Sequence, residues 1–233
     1  MNQVQKPLLV ICAKRYNGHE LWTLLGVLQE RDYEFEVVSQ ALLIRDELTL
    51  KPNTIERTVY DVSPDEIREE KFAAVCVVSG NMSDTEAYWT DPHVLNLLQA
   101  AREINLVVAA ICCSVPTLAP VCKDVAVSYF PLMRSRYRLR DFGAVLRNTS
   151  LTVDGHTVTA ENQMITQMWA EEICNLLEGK PQQYQMEDSG FTPKGSERKM
   201  DPLVRAAIDA DRGYGMVLQK GPNKGKIYDP KAS

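Results

Sequence analysis

The chain has 233 residues, 45% of them hydrophobic, with 26 basic against 31 acidic side chains and a net charge of −5. That is enough apolar material for one substantial core, and the acidic balance gives no support for a nucleic-acid partner. No apolar run approaches the roughly 20 residues of a membrane span, so no membrane partner is expected.

In chain order, PLLVICA (Pro7 to Ala13) reads as a buried strand. It meets Lys14 and Arg15 too early for a signal peptide, so a cytoplasmic location is expected. GHELWTLLGVLQE (Gly18 to Glu30) has helical spacing, with Leu21, Leu24, Leu25 and Leu28 near one face. YEFEVVS (Tyr33 to Ser39) alternates as a second strand, and Leu43 to Val59 predicts short strands and turns. Ser63-Pro64-Asp65-Glu66 is a helix start, with Ser as the cap, Pro at the first helical position and Glu66 completing a capping box. FAAVCVVS (Phe72 to Ser79) is a central strand ended by Gly80-Asn81. Asp91-Pro92 opens HVLNLLQAARE, a helix with Leu95, Leu97 and Leu98 toward the core, broken at Asn105. A strand over Leu106 to Ile111 follows, then a short one over Val125 to Ser128. LTVDGHTVT (Leu151 to Thr159) predicts a hairpin around Asp-Gly, and Gln163 to Glu178 a helix stopped by Gly179 and Pro181.

Strands alternating with helices indicate an α/β fold with a mostly parallel central sheet. The site is then expected at the C-terminal ends of strands, in the loops after Ala13, Ser79 and Ile111. Residues 1–179 are read as this domain. Residues 180–233 are polar and rich in Gly and Pro, with a short helix after Asp201-Pro202; they are read as an arm that docks on the body or on a neighbouring subunit.

The six cysteines are Cys12, Cys76, Cys112, Cys113, Cys122 and Cys174, with no CxxC pair, and His19, His93 and His156 are scattered. Neither a metal site nor a disulfide framework is expected, and Cys12, Cys76 and Cys174 read as small buried hydrophobes. The adjacent thiols of AAICCSVPTLA are different. A sharp strand-to-helix turn presents one side chain and needs small residues two before and two after it. Ala110 and Ser114 meet that need for Cys112, whereas Cys113 would have Ile111 and Val115. At such a helix start, backbone N–H groups favour thiolate over thiol. Both cysteines simply finishing a buried strand is the competing reading. Downstream, MRSRYRLRDFG places Arg134, Arg136, Arg138 and Arg140 at every second position, either on one strand face or spread around a helix.

AAICCS resembles the AAIC-[HA]-G signature of the ThiJ/PfpI superfamily, which has a flavodoxin-like, class I glutamine-amidotransferase-like fold, a three-layer sandwich. The resemblance extends to VVSGN (Val77 to Asn81), to DPHVLNLLQAARE, to GHELWTLLGVLQERDYEFEVVS and to VDGHTVTAENQM; it covers about residues 7–179 and not the arm. It implies that Glu20 sits beside Cys112 as a protonated carboxyl able to act as general acid. It also implies an oxyanion hole from the N–H groups of Gly80 and Cys113. Ser79 adds a hydroxyl where the family has Gly-Gly, His19 adjoins Glu20 within reach of the pocket, and Arg134 or Arg138 would clamp a substrate carboxylate or phosphate, the competing reading being a solvated face paired with the protein's own carboxylates. Cys113 stands where peptidase and amidase members have His, and Val115 where they have Pro.

The expected function is a cysteine-dependent lyase or hydrolase without a cofactor, acting on a small molecule with an electrophilic carbon: an aldehyde, an activated carbonyl or an isocyanide-like centre. The alternative is a redox-sensing stress protein that oxidises Cys112 to a sulfinate or joins it to Cys113. An amidase or peptidase is disfavoured by the missing His. A homodimer or larger homo-oligomer is expected from the resemblance.

Overall fold

The computed structural model describes residues 6–184. The strands are β1 (Leu8–Cys12), β2 (Arg15–Tyr16), β3 (Phe35–Ser39), β4 (Leu43–Asp46), β5 (Pro52–Thr54), β6 (Arg57–Thr58), β7 (Ala74–Val78), β8 (Val107–Ile111), β9 (Ala126–Val127), β10 (Val145–Leu146), β11 (Leu151–Asp154) and β12 (Thr157–Ala160). The helices are α1 (Gly18–Glu30), α2 (Pro64–Arg68), α3 (Met82–Thr90), α4 (Pro92–Glu103), α5 (Met133–Asp141) and α6 (Thr166–Leu177). The central sheet has the order β11-β12-β8-β7-β1-β3-β6. Every pairing in it is parallel except β11 with β12, the hairpin read from Asp-Gly.

The three central strands are wholly buried, which is why their sequences run apolar without alternation. Side-chain direction still alternates. Leu9, Ile11, Val75, Val77, Val108 and Ala110 join one core with Ile67, Tyr88, Leu97 and Leu139 from α2 to α5. Leu8, Val10, Cys12, Cys76, Val78, Ala109 and Ile111 join a second core with Leu21, Leu24, Leu28, Trp169 and Ile173 of α1 and α6. Two helical layers therefore sandwich the sheet, giving an α/β fold of three layers. The Ser63 cap and the Glu66 capping box form as read, and Asp91 caps α4 through the N–H groups of His93 and Val94. On α4 the buried positions are Val94, Leu97, Leu98, Ala100 and Ala101, and Leu95 is only half-buried at the margin of that face.

Two elements depart from the sequence reading, and a third settles a choice it left open. Helix α3, between Gly80 and Asp91, has no counterpart in the sequence reading; it rests on the Asn81 cap, whose side chain accepts from the Ser83 N–H, and on buried Thr85, Tyr88 and Trp89. The arginine-rich stretch is α5, so its arginines fan out rather than share a face. The stretch after Ile111 is a 3-10 helix over Cys112–Val121, since Pro116 and Pro120 lack the N–H groups an α-helix needs there. Beyond α6, Gly179 takes φ +65° and the chain folds back, with the N–H groups of Gln183 and Tyr184 donating to the buried Glu172 Oε1 at 2.7 and 2.5 Å. The rest of the expected arm lies outside the described residues.

Candidate active site

The site is built at the C-terminal ends of β1, β7 and β8. Two loops are laced together there. The Asn17 N–H donates to the Ser79 carbonyl at 2.9 Å, and the Asn81 N–H to the Arg15 carbonyl at 2.7 Å. Gly80 pairs with Tyr16 across this seam, and a Cβ on Gly80 would lie 2.0 Å from the Arg15 carbonyl oxygen. Only glycine permits that approach.

Cys112 follows β8 with φ +58°, the left-handed region that side-chain-bearing residues adopt under constraint. Four contacts hold this turn. The buried Ser114 hydroxyl accepts from the Ile111 N–H at 3.1 Å and lies 2.7 Å from the Val77 carbonyl and 2.6 Å from the Ile111 carbonyl. The Trp89 indole donates to the Cys113 carbonyl at 3.0 Å. Cys112 is partly exposed whereas Cys113 is buried, so the turn presents the first thiol of the pair, as the small neighbours Ala110 and Ser114 suggested. Ser114 is thus more than small: its hydroxyl fixes the turn. Cys12, Cys76, Cys122 and Cys174 are all buried.

Glu20 lies in the first turn of α1, capped by Asn17, and is completely buried. Its Oε2 accepts two hydrogen bonds from Ser79, from the N–H at 2.9 Å and from the hydroxyl at 2.7 Å. Its Oε1 is buried and has no hydrogen-bond partner among the described residues. Burial first, and the nearness of Cys112 second, push this carboxyl well above the usual range, against the Ser79 donors. A protonated Glu20 whose Oε2 already accepts two bonds must carry its proton on Oε1. The Ser79 hydroxyl also reaches the Cys112 sulfur, so it stands between acid and thiol.

The Cys112 thiol donates to the Cys113 sulfur at 3.7 Å. That bond, followed by burial, holds Cys112 well above the ordinary thiol range, although the Cys113 N–H and the Ser79 hydroxyl pull the other way. The expected resting thiolate is therefore not what this environment favours: the hydrogen bond stabilises the protonated form, and the 3-10 helix supplies no long α-helical dipole. A second expectation also changes. The Gly80 N–H already donates to the Thr85 hydroxyl at 3.0 Å, so it is not an open oxyanion donor; the Cys113 N–H points at the reacting sulfur.

The residues expected to bind substrate separate. Ser79 is in the site. His19 is exposed, whereas its neighbour Glu20 is buried. Arg134 pairs with Glu86 at 2.5 Å. Arg138 donates to the carbonyls of Trp89 and Pro116 and lies 5.1 Å from the Phe142 ring, tying α5 to α3 and the 3-10 helix. Both arginines are thus engaged by partners within the fold. His93 holds the Val62 carbonyl at 2.9 Å rather than standing free on the surface, and His156 is exposed in the hairpin turn. Thr85 and Trp89 went unrecognised in the sequence because α3 did; the Asn81 cap with Asp84 in the first turn was the available signal.

The chain matches the DJ-1/PfpI family model over residues 6–176. It is 26% identical over 175 residues to an uncharacterized protein of Methanocaldococcus jannaschii, covering 74% of this chain and 82% of that one. A ThiJ/PfpI domain protein from Brachyspira murdochii superposes with a TM-score of 0.67 at 18% identity, covering 76% of this chain and 99% of its own. DJ-1beta of Drosophila melanogaster does so with a TM-score of 0.64 at 20% identity, covering 76% and 92%. At these identities the solved structures speak for the fold; the match over residues 6–176, which contains every site residue above, makes this chain a member of the DJ-1/PfpI family.

Proposed function

We propose that the chain is a cysteine-dependent enzyme, of lyase or hydrolase type, acting on a small electrophilic carbon such as that of an aldehyde or activated carbonyl. The observation that carries this reading is the completely buried Glu20, its Oε2 held by Ser79 and its Oε1 without a hydrogen-bond partner among the described residues, beside the elbow thiol of Cys112. A buried polar atom without a partner is unfavourable and calls for a role. In the step envisaged, the Cys112 sulfur bonds to the carbonyl carbon while the π pair moves to oxygen. The Oε1 proton of Glu20 passes to that oxygen, and the thiol proton passes to Glu20, which ends neutral again. Thiol and acid thus react as an uncharged pair, which suits a site that disfavours charge on both. Ser79 holds the carboxyl so that Oε1 is the proton-bearing atom.

A Cys-His amidase is not supported, since no histidine is hydrogen-bonded to Cys112 among the described residues. The test is turnover of a panel of small aldehydes and α-oxoaldehydes by the full chain, Cys112→Ser and Glu20→Gln. Activity is expected in the wild type, lost in Cys112→Ser and reduced about 100-fold or more in Glu20→Gln. Full turnover by Cys112→Ser would overturn the assignment.

A further inference from the structure

The residue after the elbow cysteine is itself a cysteine, and the carbonyl step leaves it unused. The two sulfurs lie 3.7 Å apart, both cysteines are free, and their exposure is unequal, Cys112 being partly exposed and Cys113 buried at 6%. Backbone geometry works against joining these thiols directly. Adjacent Cα atoms are about 3.8 Å apart across a trans peptide, closer than the roughly 4.4 Å at which unstrained disulfides begin. The spacing suits one atom set between the sulfurs. Two bonds of about 2.3 Å, the length of a zinc–thiolate bond, span 3.7 Å at an angle of about 107°.

Sulfur ligands select soft centres. A structural zinc ion needs four ligands, and among the described residues no group of three or more His, Cys, Asp or Glu side chains could hold a metal ion. A trivalent arsenic that carries one organic substituent needs only two further bonds. It is pyramidal, so the measured spacing meets it with little movement. We propose that Cys112 and Cys113 form a chelating site for monosubstituted trivalent arsenicals, with the arsenic bridging both sulfurs. The site rests on Cys112 being a thiol that solutes reach, and not on carbonyl chemistry.

In water such an arsenical carries two As–OH groups. The Cys112 sulfur bonds to arsenic, one As–O bond breaks, and the thiol proton leaves with the hydroxide as water. The Cys113 sulfur, 3.7 Å from the first, displaces the second hydroxide in the same way. Arsenic stays trivalent, so no oxidant or reductant enters. Each thiol gives up its proton only as its sulfur bonds, so the first step starts from the protonated Cys112 that this site favours. The second bond forms within one molecule, at an effective concentration in the millimolar range, so the bridge outlasts a bond to either sulfur alone. The other four cysteines are at 0% exposure within the two cores, out of reach of a solute.

The experiment adds one equivalent of phenylarsine oxide to the reduced full chain, reads the intact mass, and maps the peptide that carries it. Iodoacetamide labelling of the untreated protein is run in parallel. The expected product holds one phenylarsenic group in place of two hydrogens and has both Cys112 and Cys113 blocked to alkylation. It resists an excess of the monothiol mercaptoethanol and is reversed by the dithiol dimercaptopropanol. Cys113→Ser and Cys112→Ser are each expected to retain the arsenical about 100-fold less well against the monothiol. Wild-type protein that takes up no arsenical, that bridges another pair of cysteines, or that releases the arsenical to mercaptoethanol as readily as Cys113→Ser overturns the proposal. If Cys112 labels with iodoacetamide but no bridge forms, only the chelating site falls; if Cys112 does not label, the reactive-thiol reading falls with it.

Discussion

Replacing Glu20 by Gln removes one ionisable proton and little else. Glu20 is completely buried, and its Oε2 accepts two hydrogen bonds from Ser79 that an amide oxygen also accepts. Burial, with the nearness of Cys112 second, raises the carboxyl in the folded chain, while in the unfolded chain it titrates near its ordinary value of about 4.3. Above that pH the folded chain holds a proton that the unfolded chain has released, so folding stability falls as pH rises. The contribution is undiminished below about pH 4, declines by about 1.4 kcal/mol for each pH unit through the window, and levels off once pH exceeds the raised folded value. Gln carries no such dependence. In urea denaturation from pH 4 upward, Glu20→Gln and wild type are expected to be similarly stable at pH 4. The variant then becomes the more stable by about 1.4 kcal/mol per unit until the plateau. A stability difference that stays flat from pH 4 to pH 6, or that favours the wild type increasingly, would refute a protonated Glu20 and the mechanism built on it.

Other substitutions separate the scaffold of the site from its chemistry. Ser114→Ala leaves the Ile111 N–H and the Val77 carbonyl short of a partner and is expected to destabilise by about 1–3 kcal/mol in urea unfolding. Gly80→Ala forces a methyl to 2.0 Å from the Arg15 carbonyl oxygen and is expected to destabilise by about 3 kcal/mol, read as a lowered melting temperature. Arg138→Ala loses its bonds to the carbonyls of Trp89 and Pro116; it should unfold more readily by about 1–2 kcal/mol, yet retain KM for an anionic substrate, whereas a substrate clamp would show a raised KM.

Much of the architecture was legible because its signals are local. Unbroken apolar runs marked β1, β7 and β8, and Ser63 and Asp91 sit where chain chemistry caps helices. Helix α3 escaped because its stability comes from Tyr88 and Trp89 reaching distant carbonyls, those of Cys12 and Cys113, which no periodicity records. The choice of Cys112 over Cys113 followed from the size of Ala110 and Ser114. Glu20 was reached through family resemblance alone, since nothing in GHELW distinguishes a buried acid from a solvated one. The arginines of α5 and the Gly80 N–H misled for the opposite reason: their partners Glu86, Trp89, Pro116 and Thr85 are set by tertiary packing, which spends donors that spacing leaves apparently free.

The central claim is that the Cys112 sulfur bonds to a carbonyl carbon. It is tested most directly by carbon-13 NMR of the protein with a small aldehyde labelled at its carbonyl carbon. A hemithioacetal carbon resonance is predicted in the wild type and in Cys113→Ser, and its absence in Cys112→Ser. A resonance that persists without Cys112, or no adduct in the wild type with any aldehyde it consumes, would contradict the account.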